Sequence, residues 1–128
     1  MKKEILIIDD DPMIRNLVQS ILEAEGYQVT IAENGKHGID ILDTKPRPID
    51  LSLVMLDVVM PEMNGFDVLT RMKLHSHTQP LPVIMLTGED KADDMMKGYN
   101  IGADYYITKP FTRDQLLYGL NLVLDKQQ

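Results

Sequence analysis

The run Leu53-Val54-Met55-Leu56-Asp57-Val58-Val59-Met60-Pro61-Glu62-Met63-Asn64-Gly65 places one carboxylate at the end of an apolar stretch, just ahead of a proline and an Asn-Gly turn. Leu53 to Leu56 show no polar alternation, which is the pattern of a strand buried on both faces of a parallel sheet. Asp57 then falls at the carboxyl end of a central strand, where open α/β sheets bind their ligands. An aspartate ahead of a turn also has a plainer role as a cap or turn former. Its meaning therefore depends on what other strands bring beside it.

Toward the N-terminus, Ile5-Leu6-Ile7-Ile8 is a second apolar run, ended by Asp9-Asp10-Asp11, and Pro12 suits the first turn of a helix. Met13, Ile14, Leu17, Val18, Ile21 and Leu22 recur at helical spacing, and Gly26 is placed to end that helix. Tyr27 to Ala32 reads as a strand. Asn34-Gly35 opens a short helix with Ile39, Ile41 and Leu42 on its apolar face, and Pro46 and Pro48 mark a loop. Toward the C-terminus, Phe66 to Leu74 predicts a helix and Pro82 to Leu86 a buried strand ended by Thr87-Gly88. Glu89 to Asn100 predicts a further helix, weakened by Gly98 at a cost of about 1 kcal/mol relative to alanine. Tyr105-Tyr106-Ile107 is an aromatic strand followed by Lys109-Pro110. Thr112 and Gln115 have the spacing of a capping box, opening a last helix that carries Leu116, Leu117, Leu120, Val123 and Leu124. Five strands alternating with five helices imply one doubly wound α/β domain, with a parallel sheet, right-handed crossovers and helices on both faces.

In that architecture four strands deliver polar residues to one edge of the sheet: Asp9 and Asp10, Asp57, Thr87, and Lys109. Three carboxylates in one crevice repel, each unit-charge pair at ~4 Å costing about 4 kcal/mol at the effective dielectric of a protein surface. Lys109 can offset one charge, and a hard divalent cation with oxygen ligands can offset two more; Mg²⁺ suits a site of one or two carboxylates, waters and a phosphate. An aspartate beside such a cation, a lysine and a hydroxyl is equipped to attack phosphorus, because phosphoryl transfer depends mainly on positioning and on neutralising the equatorial oxygens. A carboxylate ionised at neutral pH needs no separate base. Singly, each residue has a commoner structural use; together, at strand ends in the right order, they predict a site.

Composition narrows the function further. With 128 residues the chain is the size of one domain, and with no cysteine it has neither a disulfide framework nor a thiolate metal site. The apolar run of Ile5 to Ile8 is too short for a signal peptide or a membrane span, so a soluble, cytoplasmic protein without a membrane partner is expected. A net charge of −7 argues against direct nucleic-acid binding, which needs clustered lysine and arginine.

With these residues in place, the whole chain resembles the receiver domain of two-component response regulators. Asp9-Asp10 is similar to the family's acidic pair, Leu56-Asp57-Val58-Val59-Met60-Pro61 to its phosphoacceptor segment, Thr87-Gly88 to its switch hydroxyl with a small neighbour, and Gly102 to Phe111 to its lysine-proline segment. The resemblance implies a single receiver domain over residues 1–128 with a flavodoxin-like (βα)5 fold and strand order 2-1-3-4-5. It implies that Asp57 takes a phosphoryl group from a sensor histidine kinase or a phosphotransfer protein, and that the chain is a signalling phosphoacceptor rather than a conventional enzyme. Asp10, Asp57 and the main-chain carbonyl of Val59 would ligate Mg²⁺ or Mn²⁺, with Asp9 acting through water. Thr87, Gly88 and Lys109 would serve the phosphoryl oxygens and the switch, and Tyr106 would be the aromatic rotamer that reports it. The fourth helix, fifth strand and last helix would carry the signal to an output partner or a second copy of the chain. The family also has a cis bond at the position of Lys109-Pro110. Asn64 stands where the family usually has aspartate, and Val59 and Glu89 occupy two positions that influence how long the phosphoryl group lasts.

Other readings fit less well. A phosphatase with an aspartyl nucleophile places an acid two residues after it, where this chain has Val59, and a nucleotide-binding domain needs a glycine-rich loop where this chain has Asp9-Asp10-Asp11-Pro12. A docking module that no longer accepts phosphate, or the receiver part of a longer regulator, remains the alternative. Met13, Met55, Met72 and Met85 read as core filler, Met95 and Met96 as partner contacts, and His75-Ser76-His77 as a solvated loop.

Overall fold

A computed structural model describes residues 3–88 and 92–126. Five strands, β1 (Glu4–Ile8), β2 (Gln28–Ala32), β3 (Leu53–Asp57), β4 (Val83–Gly88) and β5 (Tyr105–Lys109), alternate with α1 (Pro12–Ala24), α2 (Gly35–Thr44), α3 (Gly65–Leu74), α4 (Ala92–Ile101) and α5 (Arg113–Lys126). The sheet runs in the order β2-β1-β3-β4-β5, and every pairing is parallel. The parallel, doubly wound sheet is the one expected from the strand-helix alternation, and its order is the one the family resemblance implied. The expected helix starting at Glu89 begins three residues outside the described chain, which resumes at Ala92.

Alternation along the strands separates two apolar layers. Leu6, Ile8, Val54, Leu56, Val83, Met85 and Tyr106 face the layer of α2, α3 and α4. Ile5, Ile7, Leu53, Met55, Ile84, Leu86 and Ile107 face α1 and α5. With both faces buried, β1 and β3 are apolar through their middles, and polar residues stand at their termini: Glu4 at the start of β1, Asp9 just after it, and Asp57 at the end of β3.

Caps fix where α1, α3 and α5 start. Asp11 accepts from the Met13 amide and Pro12 occupies the first turn of α1, while Gly26, with φ of 92°, supplies the left-handed residue after it. Asn64 does more than turn the chain: it forms a capping box with Asp67, the two backbone amides each bonding the other's side chain at 3.0 and 3.2 Å. Thr112 and Gln115 form the second, expected box.

Three expectations are corrected. Met13 is 78% exposed, because the apolar stripe of α1 is wider than the face that reaches the sheet; Val18 and Leu22 fill that face and Met13 and Leu17 lie on its flank. Met95 packs against the core layer, so of the two methionines read as partner contacts only Met96 is exposed. The loop at His75 to Gln79 is not simply solvated: His77 Nε2 lies 3.1 Å from Asp43 Oδ1, Arg71 bonds the other oxygen at 2.7 Å, and together they join α2 to α3. The Lys109–Pro110 bond is cis as expected, and Arg47–Pro48 is cis as well.

Candidate functional site

The parallel register brings the strand ends to one level. Ile8 pairs with Leu56, Asp57 with Leu86, and Gly88 with Lys109. Asp9 and Asp10 therefore leave β1 beside the end of β3, and Lys109 closes the row from β5. Lys109 Nζ lies 3.0 Å from Asp9 Oδ2 and 3.1 Å from Asp57 Oδ1, so one ammonium serves two carboxylates. Asp9 is fully buried, Asp57 is 4% exposed, and Asp10 faces solvent. A carboxylate oxygen from each of the three aspartates lies within 4.8 Å of the others.

The loop behind Asp57 is seated by close backbone approach. The Gly65 amide donates to the Val58 carbonyl at 2.8 Å, and a Cβ at Gly65 would overlap the carbonyl of Asp57. Only glycine lets the first turn of α3 pack this near the end of β3. On the other side, the Asp9 amide donates to Ala32 and its Oδ1 accepts from the Asp11 amide at 2.9 Å.

Burial, foremost, and then the neighbouring Asp9 carboxylate push the Asp57 carboxyl up to about 7, against the opposing pull of Lys109. With protein groups alone, this carboxyl gives up its proton less readily than an ordinary aspartate. Burial opposes the charge on Lys109, but hydrogen bonding and attraction to Asp9 and Asp57 outweigh it and raise its pKa, so the ammonium persists. The site is short of positive charge. Three hard oxygen donors in one crevice, one of them reluctant to ionise, form a set that fits a divalent cation with oxygen preference.

Thr87 is buried on β4 directly beside Thr108 in the register, and Gly88 leaves open space where a side chain would stand. Val59 turns its side chain outward, 67% exposed; Glu89 lies outside the described residues. Tyr106 is not gathered into the acidic crevice. It is 6% exposed in the layer facing α4, against Gly98 and 5.2 Å from the Tyr99 ring. One residue absent from the sequence reading touches the site: Arg15 Nη1 donates to the Asp9 carbonyl at 2.8 Å. A basic residue six positions after the first aspartate, at the start of the following helix, is the only signal the sequence carries for it.

The response regulator receiver domain model matches residues 5–121. The chain belongs to the response regulator receiver family. This receiver is 36% identical to the transcriptional regulatory protein CpxR of Escherichia coli over 94% of its own length and 49% of that protein. It is 39% identical to the phosphate regulon transcriptional regulatory protein PhoB of Pseudomonas aeruginosa, over 95% of the receiver and 52% of PhoB. The chain thus spans about half the length of the regulators it matches. Among solved structures it superposes on the chemotaxis response regulator CheY4 of Vibrio cholerae with a TM-score of 0.88, at 30% identity over 97% of this chain and all of that one. A CheY-like receiver domain from Methanospirillum hungatei gives 0.87 at 34% identity, covering 99% and 97% of the two chains. The fold and the role of phosphorelay receiver follow from these matches. No described helix is long and apolar enough to cross a membrane.

Proposed function

We propose that Asp57 is the phosphoacceptor of this receiver and that residues 1–128 form one receiver domain. A histidine kinase or phosphotransfer protein presents a phosphohistidine; an Asp57 carboxylate oxygen forms the new P–O bond as the P–N bond breaks, and the imidazole leaves with the electron pair. Water later attacks the acyl phosphate, returning the carboxylate and inorganic phosphate. The protein catalyses only its own phosphorylation and dephosphorylation and is not a conventional enzyme. The observation that carries this reading is the single Lys109 ammonium shared by Asp9 and Asp57, aimed at the place where phosphoryl oxygens would gather negative charge.

Asp10, Asp57 and the Val59 carbonyl would hold Mg²⁺ or Mn²⁺, with Asp9 contributing through water. The ion, when bound, supplies charge neutralisation for the transferring group. Lys109 binds a phosphoryl oxygen, Thr87 donates its hydroxyl to another, and Gly88 leaves the room they need. Tyr106 then couples the change to the surface of α4, β5 and α5, where a groove of about 520 Å³ runs along Tyr105, Ile107, Pro110, Asp114 and Tyr118. An output partner or a second copy binds there. The receiver works in the cytoplasm, and its regulators-of-transcription relatives suggest an output domain elsewhere in the system rather than nucleic-acid contact by this acidic chain.

The test is phosphorylation by a small acyl phosphate with and without MgCl₂, read by mass spectrometry of the Asp57 peptide. The wild type is expected to gain one phosphoryl group only with the cation, and Asp57→Asn none. Full modification of Asp57→Asn, or of the wild type in chelator, overturns the assignment.

A further inference from the structure

We infer that Arg15 is a positioning residue for the acidic pair, setting the direction of Asp10 by holding the peptide that precedes it. The inference rests on the metal reading above. Each polar atom of Asp9 has its own partner: the amide donates to Ala32 at 3.2 Å, Oδ1 accepts from Asp11 at 2.9 Å, Oδ2 from Lys109 at 3.0 Å, and the carbonyl from Arg15 at 2.8 Å. The first three hold the amide and the side chain of Asp9. Among the described residues, the Arg15 contact is the one that acts on the Asp9–Asp10 peptide through its carbonyl.

That peptide is planar, so holding its carbonyl holds the plane that carries the Asp10 nitrogen and Cα, the point from which the Asp10 side chain projects. Asp10 needs this more than its neighbours do. Asp9 is buried and Asp57 ends a strand packed on both faces, whereas Asp10 is exposed and follows the strand with no burial to hold it. The far end of the brace is firm: Arg15 rides on α1 between the Asp11 cap and the fully buried Val18 and Leu22. A guanidinium suits the task because it keeps its charge, presents several donors from one plane and tolerates partial burial.

The experiment is calorimetric titration of MgCl₂ into the whole chain as wild type, Arg15→Ala, Arg15→Lys and Asp10→Ala, with no phosphodonor present. Partners of ligands in metal sites typically contribute 10- to 100-fold in affinity; for an indirect brace Arg15→Ala is expected to weaken Mg²⁺ binding about tenfold, and Arg15→Lys to recover part of the loss. Phosphorylation of Arg15→Ala should return close to the wild-type rate at saturating MgCl₂, since Asp57 and Lys109 are untouched. Affinity unchanged in Arg15→Ala overturns the inference, as does a loss in both Arg15 variants that only tracks lowered melting temperature. If Arg15→Ala does not fold, Arg15→Lys carries the comparison: affinity indistinguishable from wild type in a brace shortened at its tip counts against positioning, and a weaker, saturable site supports it. No saturable heat in the wild type removes the metal reading itself, and the inference with it; intact binding in Asp10→Ala removes Asp10 as the ligand being positioned.

Discussion

At the carboxyl edge of β1 and β3 three carboxylates meet one ammonium, whereas beyond β5 the Tyr106 ring lies wedged against Gly98 of α4. Both places are crowded. At the first the crowding is charge, and it responds to protons and cations. At the second it is volume, and it responds to a single methyl group. The contrast shows what each end can be asked to sense: β3 stores unfavourable charge, while the β5–α4 contact stores a close fit.

The largest expected effect lies at the charged end. Asp57 titrates at about 7 in the folded protein against an ordinary value of 3.8, so the folded state holds a proton that the unfolded chain releases. The resulting penalty is absent below pH 4, grows as the pH rises from about 4 to about 7, and is level above that. Taken whole, a shift of this size sets an upper bound of about 4 kcal/mol. Asp57→Asn removes the titrating group while keeping the shape. In chelator at pH 7.5 this variant should be more stable than the wild type by at least about 1 kcal/mol, and the difference should vanish near pH 4. Denaturant titrations at both pH values decide it: equal stability at pH 7.5, or a gain that persists at pH 4, would mean that Asp57 carries no stored charge.

A smaller effect is expected at the steric end. A methyl on Gly98 would overlap the Tyr106 hydroxyl and the ring atoms beside it. Alanine improves helix propensity by about 1 kcal/mol, yet overpacking a filled site typically costs about 1–3 kcal/mol. Gly98→Ala should therefore destabilise the protein by about 1 kcal/mol net, and Tyr106→Ala in the same chain should relieve part of that. If Gly98→Ala is stabilising on its own, the ring is loosely held and the contrast between the two regions fails.

Gly98 also shows where sequence reading stopped. From propensity alone it weakens a helix; its reason is a ring eight residues on, in another element, which no local pattern reports. Asp57, Asp9, Asp10, Thr87 and Lys109 were legible because burial of both sheet faces drives polar residues to strand ends, a rule that acts within each strand. The two layers were legible for the same reason. Met13 was misread because helical spacing gives the direction of an apolar face but not its width. The His77–Asp43 contact joins residues 34 apart in sequence, and Arg15 bonds a backbone carbonyl, so beyond a basic residue six positions after Asp9 the sequence signals neither contact. The raised pKa of Asp57 likewise needs the burial and the distances.

The smallest expected effect concerns the link between the two regions. Lys97 Nζ on α4 stands 4.8 Å from the centre of the Phe66 ring, and Phe66 follows Gly65, the residue packed on the Asp57 carbonyl. A cation over an aromatic face at an exposed site contributes about 0.5–1 kcal/mol. Lys97→Met keeps the aliphatic stem and removes the charge, so packing on Phe66 survives and the electrostatic part does not. If this contact helps to hold α4 against α3, amides of residues 95–101 should exchange with solvent roughly two- to fivefold faster in the variant, the factor that such an energy sets. Amides of β1 and β3 should be unchanged, because their opening is governed by strands buried on both faces. Faster exchange spread evenly over the chain would assign Lys97 a general effect on stability, and no change in residues 95–101 would leave the two crowded regions joined through β5 alone.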